Sequence, residues 1–132
     1  MAGALSRHRV LVADDNVDVL ESLATLLEIM GHDVRTARDG LEAVAVAAIF
    51  QPELILLDLG MPKLDGYAAC QRLRAEPAGQ HAVIVALSGW GQDRHKEATR
   101  AAGFDRHLVK PVSLGELQDL LEALPGDSGG ST

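Results

Sequence analysis

Three acidic residues stand where a folded chain most readily does chemistry. Asp14 and Asp15 follow the apolar run Val10-Leu11-Val12-Ala13, and Asp58 follows Leu54-Ile55-Leu56-Leu57. A short run of branched apolar residues marks a strand buried on both faces. A carboxylate at the exit of such a strand lies at the carboxyl end of a parallel sheet, where open α/β sheets hold their ligands. Gly60 and Pro62 turn the chain just beyond Asp58. If the two strands are neighbours, three carboxylates share one small volume. At ~4 Å and an effective dielectric of ~20, each pair of charges repels by about 4 kcal/mol. The cluster then requires either protons or a hard cation, and an all-oxygen donor set suits Mg²⁺.

The elements that must position these groups alternate along the chain, with no internal repeat. The first strand, Val10–Ala13, leads into a helix with Asn16 as N-cap and Gly31 as its stop. That helix carries Val19, Leu20, Leu23, Leu26, Leu27 and Met30 at helical spacing. The second strand, Asp33–Ala37, is short and less apolar, as at a sheet edge. A second helix begins after Asp39-Gly40 and ends before Pro52. The third strand, Leu54–Leu57, precedes a helix running from near Gly66 to about Ala75. The fourth strand is Ala82–Leu87, and the helix after it spans roughly Gln92 to Ala102, closed by Gly103. The fifth strand, Asp105–Val109, is weak, and the last helix opens on the capping box Ser113-Leu114-Gly115-Glu116. Five βα units in a row imply a doubly wound five-stranded parallel sheet with helices on both faces. The order 2-1-3-4-5, the flavodoxin-like (βα)5 arrangement, sets strands one and three side by side and so brings Asp14, Asp15 and Asp58 together.

Composition narrows the function. The 132 residues fit one domain that buries enough surface to need no staple. One cysteine rules out an internal disulfide and suits a reducing cytoplasm; Cys70, in a helix-like stretch, is expected to be a small buried hydrophobe. The start of the chain lacks the apolar segment of a signal peptide, and no stretch approaches membrane-spanning length. A net charge of −7 argues against nucleic acid as a direct partner. His8, His32, His81 and His95 have no metal-ligand spacing. We expect an N-terminal extension over 1–8, a domain over 9–124, and a linker-like or disordered tail over 125–132.

Four anchors carry a family resemblance: Asp14-Asp15, Asp58 with Met61-Pro62 and Asp65-Gly66, Ser88, and Lys110-Pro111. Singly they are weak; together, each at the end of the right strand, they are specific. From about Arg9 to Leu124 the chain resembles a response-regulator receiver domain, the phosphoacceptor module of two-component signalling. The stretches Leu87–Gln92 and Gly103–Pro111 resemble more narrowly the receivers joined to hybrid sensor kinases. The resemblance implies that Asp58 takes a phosphoryl group from a phosphohistidine, as carboxylate nucleophiles do in other aspartyl-phosphate proteins. It implies Mg²⁺ held by Asp15, Asp58 and the Gly60 carbonyl, with Asp14 acting mainly through water. It implies that Lys110 pairs with the phosphoryl oxygens, that Ser88 supplies a hydroxyl, and that the Lys110–Pro111 bond is cis. The partners implied are a sensor histidine kinase or phosphotransfer domain, and a downstream effector or covalently joined domain, with weak dimerisation allowed. Output would run through the face of the helix after strand four, strand five and the last helix. Such a chain is no enzyme on outside substrates, though it promotes its own phosphorylation and dephosphorylation. Ser88 and the residue at 107 form the switch in this family, where Tyr or Phe is common; His107 departs from that pattern. Gly60 offers no side chain beside the acceptor, and Trp90 is expected to shield it.

Plainer readings exist for each residue. Asp14 is a turn residue, Ser88 a helix cap, Lys110 a solvated lysine before a turn proline, His107 a surface histidine, and Asp65-Gly66 a turn before a helix. None of these explains two acids directly after a buried strand. Three other functions compete. A haloacid-dehalogenase-type phosphatase wants an acid at the position of Gly60. A flavodoxin wants a phosphate-cradling loop after strand one. A degenerate receiver serving only docking or dimerisation would not need Asp14, Asp15, Asp58 and Lys110 intact.

Overall fold

The computed structural model describes residues 7–89 and 96–124. The expected tail over 125–132, residues 1–6 and Trp90 lie outside the described residues, as does the expected start of the fourth long helix at Gln92. The elements are β1 (Arg9–Ala13), α1 (Val17–Ile29), β2 (Asp33–Ala37), α2 (Gly40–Phe50), β3 (Leu54–Asp58), α3 (Gly66–Ala75), α4 (Pro77–Gln80), β4 (Val83–Ser88), α5 (Lys96–Ala102), β5 (Arg106–Val109) and α6 (Leu114–Glu122). All strand pairs are parallel, in the order β2-β1-β3-β4-β5. This is the doubly wound order read from the sequence, with β2 at an edge.

Side-chain alternation along the strands builds two apolar layers. Leu11, Ile55, Leu57 and Ile84 point to one face, where Ala43 and Ala47 of α2 and Ala69, Cys70 and Leu73 of α3 cover them. Val10, Val12, Leu54, Leu56, Val85 and Leu87 point to the other, against Leu20, Leu23 and Leu27 of α1 and Leu117, Leu120 and Leu121 of α6. Burial on both faces is why the strands read as unbroken apolar runs rather than alternating ones. Cys70 is fully buried, and burial pushes its thiol up to about 11, so it is a core residue and not a nucleophile.

Local capping places the helices as the sequence indicates. Asn16 accepts from the Asp18 and Val19 amides, and Ser113 and Glu116 form the reciprocal capping box. Gly31 ends α1 at φ +97°, a conformation that glycine adopts without strain. Two strands extend one residue further than the apolar runs. The Leu59 amide donates to Leu87 O (3.0 Å) and the Lys110 amide to Ser88 O (2.8 Å), which draws Asp58 and Ser88 into the ladder.

The one-turn α4 was not foreseen. Its six-residue neighbourhood is too short to show a period, and Pro77 suits the first helical position, where no amide partner is needed. Arg74, near the end of α3, is the tether of this region. Its Nη1 donates to Gly79 O (2.9 Å) and Ala82 O (2.8 Å), its Nε to Gly103 O (2.9 Å), and its Nη2 to Asp105 Oδ2 (2.7 Å). Asp105 Oδ2 in turn accepts from the Ile84 amide (2.9 Å), which is why β5 starts at Arg106 rather than Asp105. At the same end of the strands, ahead of β1 and β2, His8 is buried and donates its amide to His32 Nδ1 (3.1 Å).

Arg74→Ala leaves several carbonyls without donors and is expected to cost about 3 kcal/mol. Arg74→Lys should recover little, because one ammonium cannot span the fork. Urea unfolding midpoints of the three proteins check this; a loss below ~0.5 kcal/mol for Arg74→Ala would show the tether to be ornamental.

Candidate functional site

Four strand ends build the site. β1 delivers Asp14, whose Oδ1 accepts from the Asn16 amide (2.9 Å) and which is fully buried. β3 ends on Asp58, which is 7% exposed. Because β1 and β3 are hydrogen-bonded neighbours, one oxygen each from Asp14, Asp15 and Asp58 falls within 4.8 Å of the others. Asp15 is the exposed member. β5 delivers Lys110, whose Nζ donates to Asp14 Oδ2 (3.1 Å) and Asp58 Oδ1 (3.2 Å). The ammonium sits between two buried carboxylates and is not the solvated lysine of the plainer reading. The Lys110–Pro111 peptide is cis, as the resemblance implied.

Close backbone contact fixes Asp58. A Cβ on Gly66 would lie 2.6 Å from Asp58 O, so only glycine lets the start of α3 seat against the Asp58 peptide. Asp65 caps that helix by accepting from the Ala68 amide (2.9 Å). A Cβ on Gly40 would collide with Leu64 O, so α2 abuts the same loop. Lys63, at the loop's tip, has φ +67° and reaches Asp39 Oδ2 at 3.6 Å. Among the described residues, nothing lies within 4 Å of where a Cβ on Gly60 would stand.

The charges do not balance locally. Burial holds the Asp58 pKa above its ordinary value of 3.8, and the Asp14 charge adds to that; Lys110 and the Gly60 amide pull the other way and do not prevail. For Lys110, burial pulls its pKa down, but the hydrogen bond to Asp14 and the charges of Asp58 and Asp14 outweigh it, and the net shift is upward. Both shifts are upward, yet they favour opposite charge states, neutral for Asp58 and charged for Lys110, because Lys110 faces only opposite charge whereas Asp58 also faces Asp14. The donor set is three carboxylates, which fits a small hard cation such as Mg²⁺ and not a soft metal.

Of the residues singled out in the sequence, Asp14, Asp15, Asp58 and Lys110 converge, and Gly60 lies two residues past Asp58. Ser88 ends β4 one residue beyond Leu87, the register partner of Asp58. It is 1% exposed, and its Oγ lies 2.6 Å from His107 Nε2. His107 is therefore not the surface histidine of the plainer reading: it is half-buried on β5 and joined to Ser88. The sequence flagged both residues but not the bond between them, because nothing in the spacing of 88 and 107 shows which strands pair. Gly40 and Lys63 were missed altogether. An Asp-Gly pair before a helix was their one signal.

The family model for the response regulator receiver domain matches residues 10–122. The DNA-binding dual master transcriptional regulator RpaA of Synechocystis is 36% identical over 116 residues, covering 88% of this chain and 48% of its own length. The chain thus spans about half the length of the curated relatives it matches. Among solved structures, the receiver domain of sensor histidine kinase PA1611 from Pseudomonas aeruginosa PAO1 superposes with TM-score 0.82 at 30% identity, covering 90% of this chain and 98% of that one. That structure has a magnesium ion coordinated in its active site cleft. The chemotaxis protein CheY4 of Vibrio cholerae gives TM-score 0.83 at 27% identity, covering 90% of this chain and 99% of its own.

The raised pKa of Asp58 has a stability consequence. The folded protein holds that proton more tightly than the unfolded chain, so the contribution is fully present below about pH 3.8 and is lost as pH rises through the folded value. At neutral pH, without added metal, Asp58→Asn is expected to raise the thermal midpoint. The gap to the parent should narrow as pH falls. Melts of both proteins across the acid range check it; an Asn variant that is less stable at pH 7 would show that Lys110 outweighs burial and Asp14.

Proposed function

The chain belongs to the response regulator receiver domain family, and from that premise we propose that it is a phosphoacceptor switch centred on Asp58. One Asp58 oxygen attacks the phosphorus of a phosphohistidine on a sensor histidine kinase or phosphotransfer domain. The O–P bond forms as the N–P bond breaks, and the histidine leaves with the electron pair. The observation that supports this most is the convergence of three carboxylates and one partly buried ammonium at the ends of β1, β3 and β5.

Each side chain has a separate task. Asp15, Asp58 and the Gly60 carbonyl would hold Mg²⁺, with Asp14 joined through water. When bound, that cation neutralises charge on the transferring group. Lys110 starts on Asp14 and Asp58 and turns its ammonium to the phosphoryl oxygens as a point charge. The Ser88 hydroxyl donates to the same group. The open space around Gly60 leaves a path for a donor to approach the acceptor. Modification biases the face made by α5, β5 and α6, which a protein partner or a covalently joined domain reads. A net charge of −7 favours protein over nucleic acid as that direct partner. Residues 9–124 form the receiver unit in this reading, with 1–8 as an extension and 125–132 as a tail. A cytoplasmic location goes with it, on the strength of one buried, reduced cysteine.

Incubation with acetyl phosphate and Mg²⁺ tests the reading. One phosphate adduct is expected on the parent, mapping to Asp58, and none on Asp58→Asn or without divalent metal. Lys110→Ala is expected to slow labelling by roughly a hundredfold, the scale for one preorganised charge partner. Silence in the parent would point to a docking module instead, and turnover of acetyl phosphate without any adduct would point to a phosphatase.

A further inference from the structure

The Ser88 hydroxyl is already engaged. It is 1% exposed, so water is no ready partner, and its Oγ stands 2.6 Å from His107 Nε2. At that separation one hydrogen lies between the two atoms. A serine hydroxyl has one hydrogen and two lone pairs, while a neutral imidazole carries its hydrogen on only one of two nitrogens. The single hydrogen of Ser88 therefore has two claimants, and the state of the imidazole decides between them.

The geometry points to His107 as a positioning residue that sets the direction in which Ser88 donates, and so whether Ser88 serves the phosphoryl group. The inference rests on the reading of Asp58 as acceptor and Ser88 as donor to its phosphoryl oxygens. With Nε2 bare, Ser88 gives its hydrogen to the ring and turns only lone pairs toward the strand ends, which repel a phosphoryl oxygen. With hydrogen on Nε2, the ring donates into Oγ, and the Ser88 hydrogen is free for the phosphoryl group. The change is a tautomer shift: Nε2 gains a proton, the other ring nitrogen gives one up, and the ring's charge stays the same. A hydrocarbon ring at 107 has neither lone pair nor hydrogen to offer, so this control comes with the histidine.

Coupling of this kind runs both ways. A phosphoryl group on Asp58 selects the tautomer with hydrogen on Nε2, and that tautomer in turn favours the phosphoryl group. His107 belongs to β5, part of the face assigned to output, so the selected tautomer also reports phosphorylation on that face. One hydrogen bond to a charged group is enough to move the tautomer ratio roughly tenfold or more.

The test uses the full chain with ¹⁵N-labelled histidine and long-range proton–nitrogen correlation spectra, with His107→Gln identifying the signals of ring 107 among the five histidines. Spectra are taken with Mg²⁺ alone and with Mg²⁺ plus beryllofluoride. The ratio of hydrogen-bearing to bare Nε2 is expected to rise roughly tenfold or more on adding beryllofluoride, and not to move in Ser88→Ala. An unchanged ratio in the parent, while amides around Asp58 report beryllofluoride binding, overturns the inference and leaves the acceptor reading standing. An equal rise in Ser88→Ala also overturns it, because the response would not pass through Ser88. Absence of beryllofluoride binding removes the acceptor reading itself, and this inference with it.

Discussion

Carboxylates held within 4.8 Å of one another repel, and the rest of this molecule is arranged to keep Asp14, Asp15 and Asp58 there. Asp14 is fully buried and Asp58 nearly so, so water screens the pair poorly. Lys110 offsets part of that repulsion by bridging both buried acids. It does not remove it, since burial and Asp14 still hold the Asp58 pKa up. A site left short of positive charge is one that favours a cation, and one whose lysine has something to gain when further negative charge arrives. Strain of this sort is tolerated where it serves function and where the scaffold is stiff enough to hold it.

The scaffold is stiff for reasons that start in the strands. β1 and β3 are central, hydrogen-bonded to each other, and covered on both faces. Every residue from Val10 to Asp14 and from Leu54 to Asp58 is buried, so neither strand can slip by one residue without exposing its core side chains. Gly66 and Gly40 let α3 and α2 press on the loop after Asp58, so the Asp58 backbone is held from two sides. Arg74 ties the chain before β4 to the turn before β5, and these are the strands that carry Ser88 and His107. The same close packing that fixes the acid cluster thus fixes the registers through which a change at Asp58 can reach β5.

Much of this was legible in the sequence, and the exceptions have physical causes. Parallel strands buried on both faces leave an unmistakable apolar run, so β1, β3 and β4 and the acids at the ends of the first two could be read directly, while the strand order followed from βα alternation and right-handed crossovers. Asn16, Asp65 and Ser113 cap helices through short-range bonds that depend only on neighbours in the chain. Long-range polar contacts leave no such trace. Arg74 looks like any charged helix residue, yet it satisfies carbonyls up to 29 residues away. His107 and Ser88 are 19 residues apart and meet only because β4 and β5 pair. The short α4 is a single turn, below the length at which periodicity speaks.

An acid cluster short of positive charge, with Asp15 and Asp58 as its donors and Lys110 bridging Asp14 and Asp58, should take up a divalent cation. Thermal unfolding with and without Mg²⁺ tests it most directly, because a ligand bound only by the folded state adds RT ln(1 + [L]/Kd) to stability. At a tenfold excess over Kd that is roughly 1.4 kcal/mol. The midpoint is expected to climb with Mg²⁺ in the parent and to stay flat in Asp15→Asn and Asp58→Asn. A parent indifferent to Mg²⁺, or variants that climb as the parent does, would contradict it.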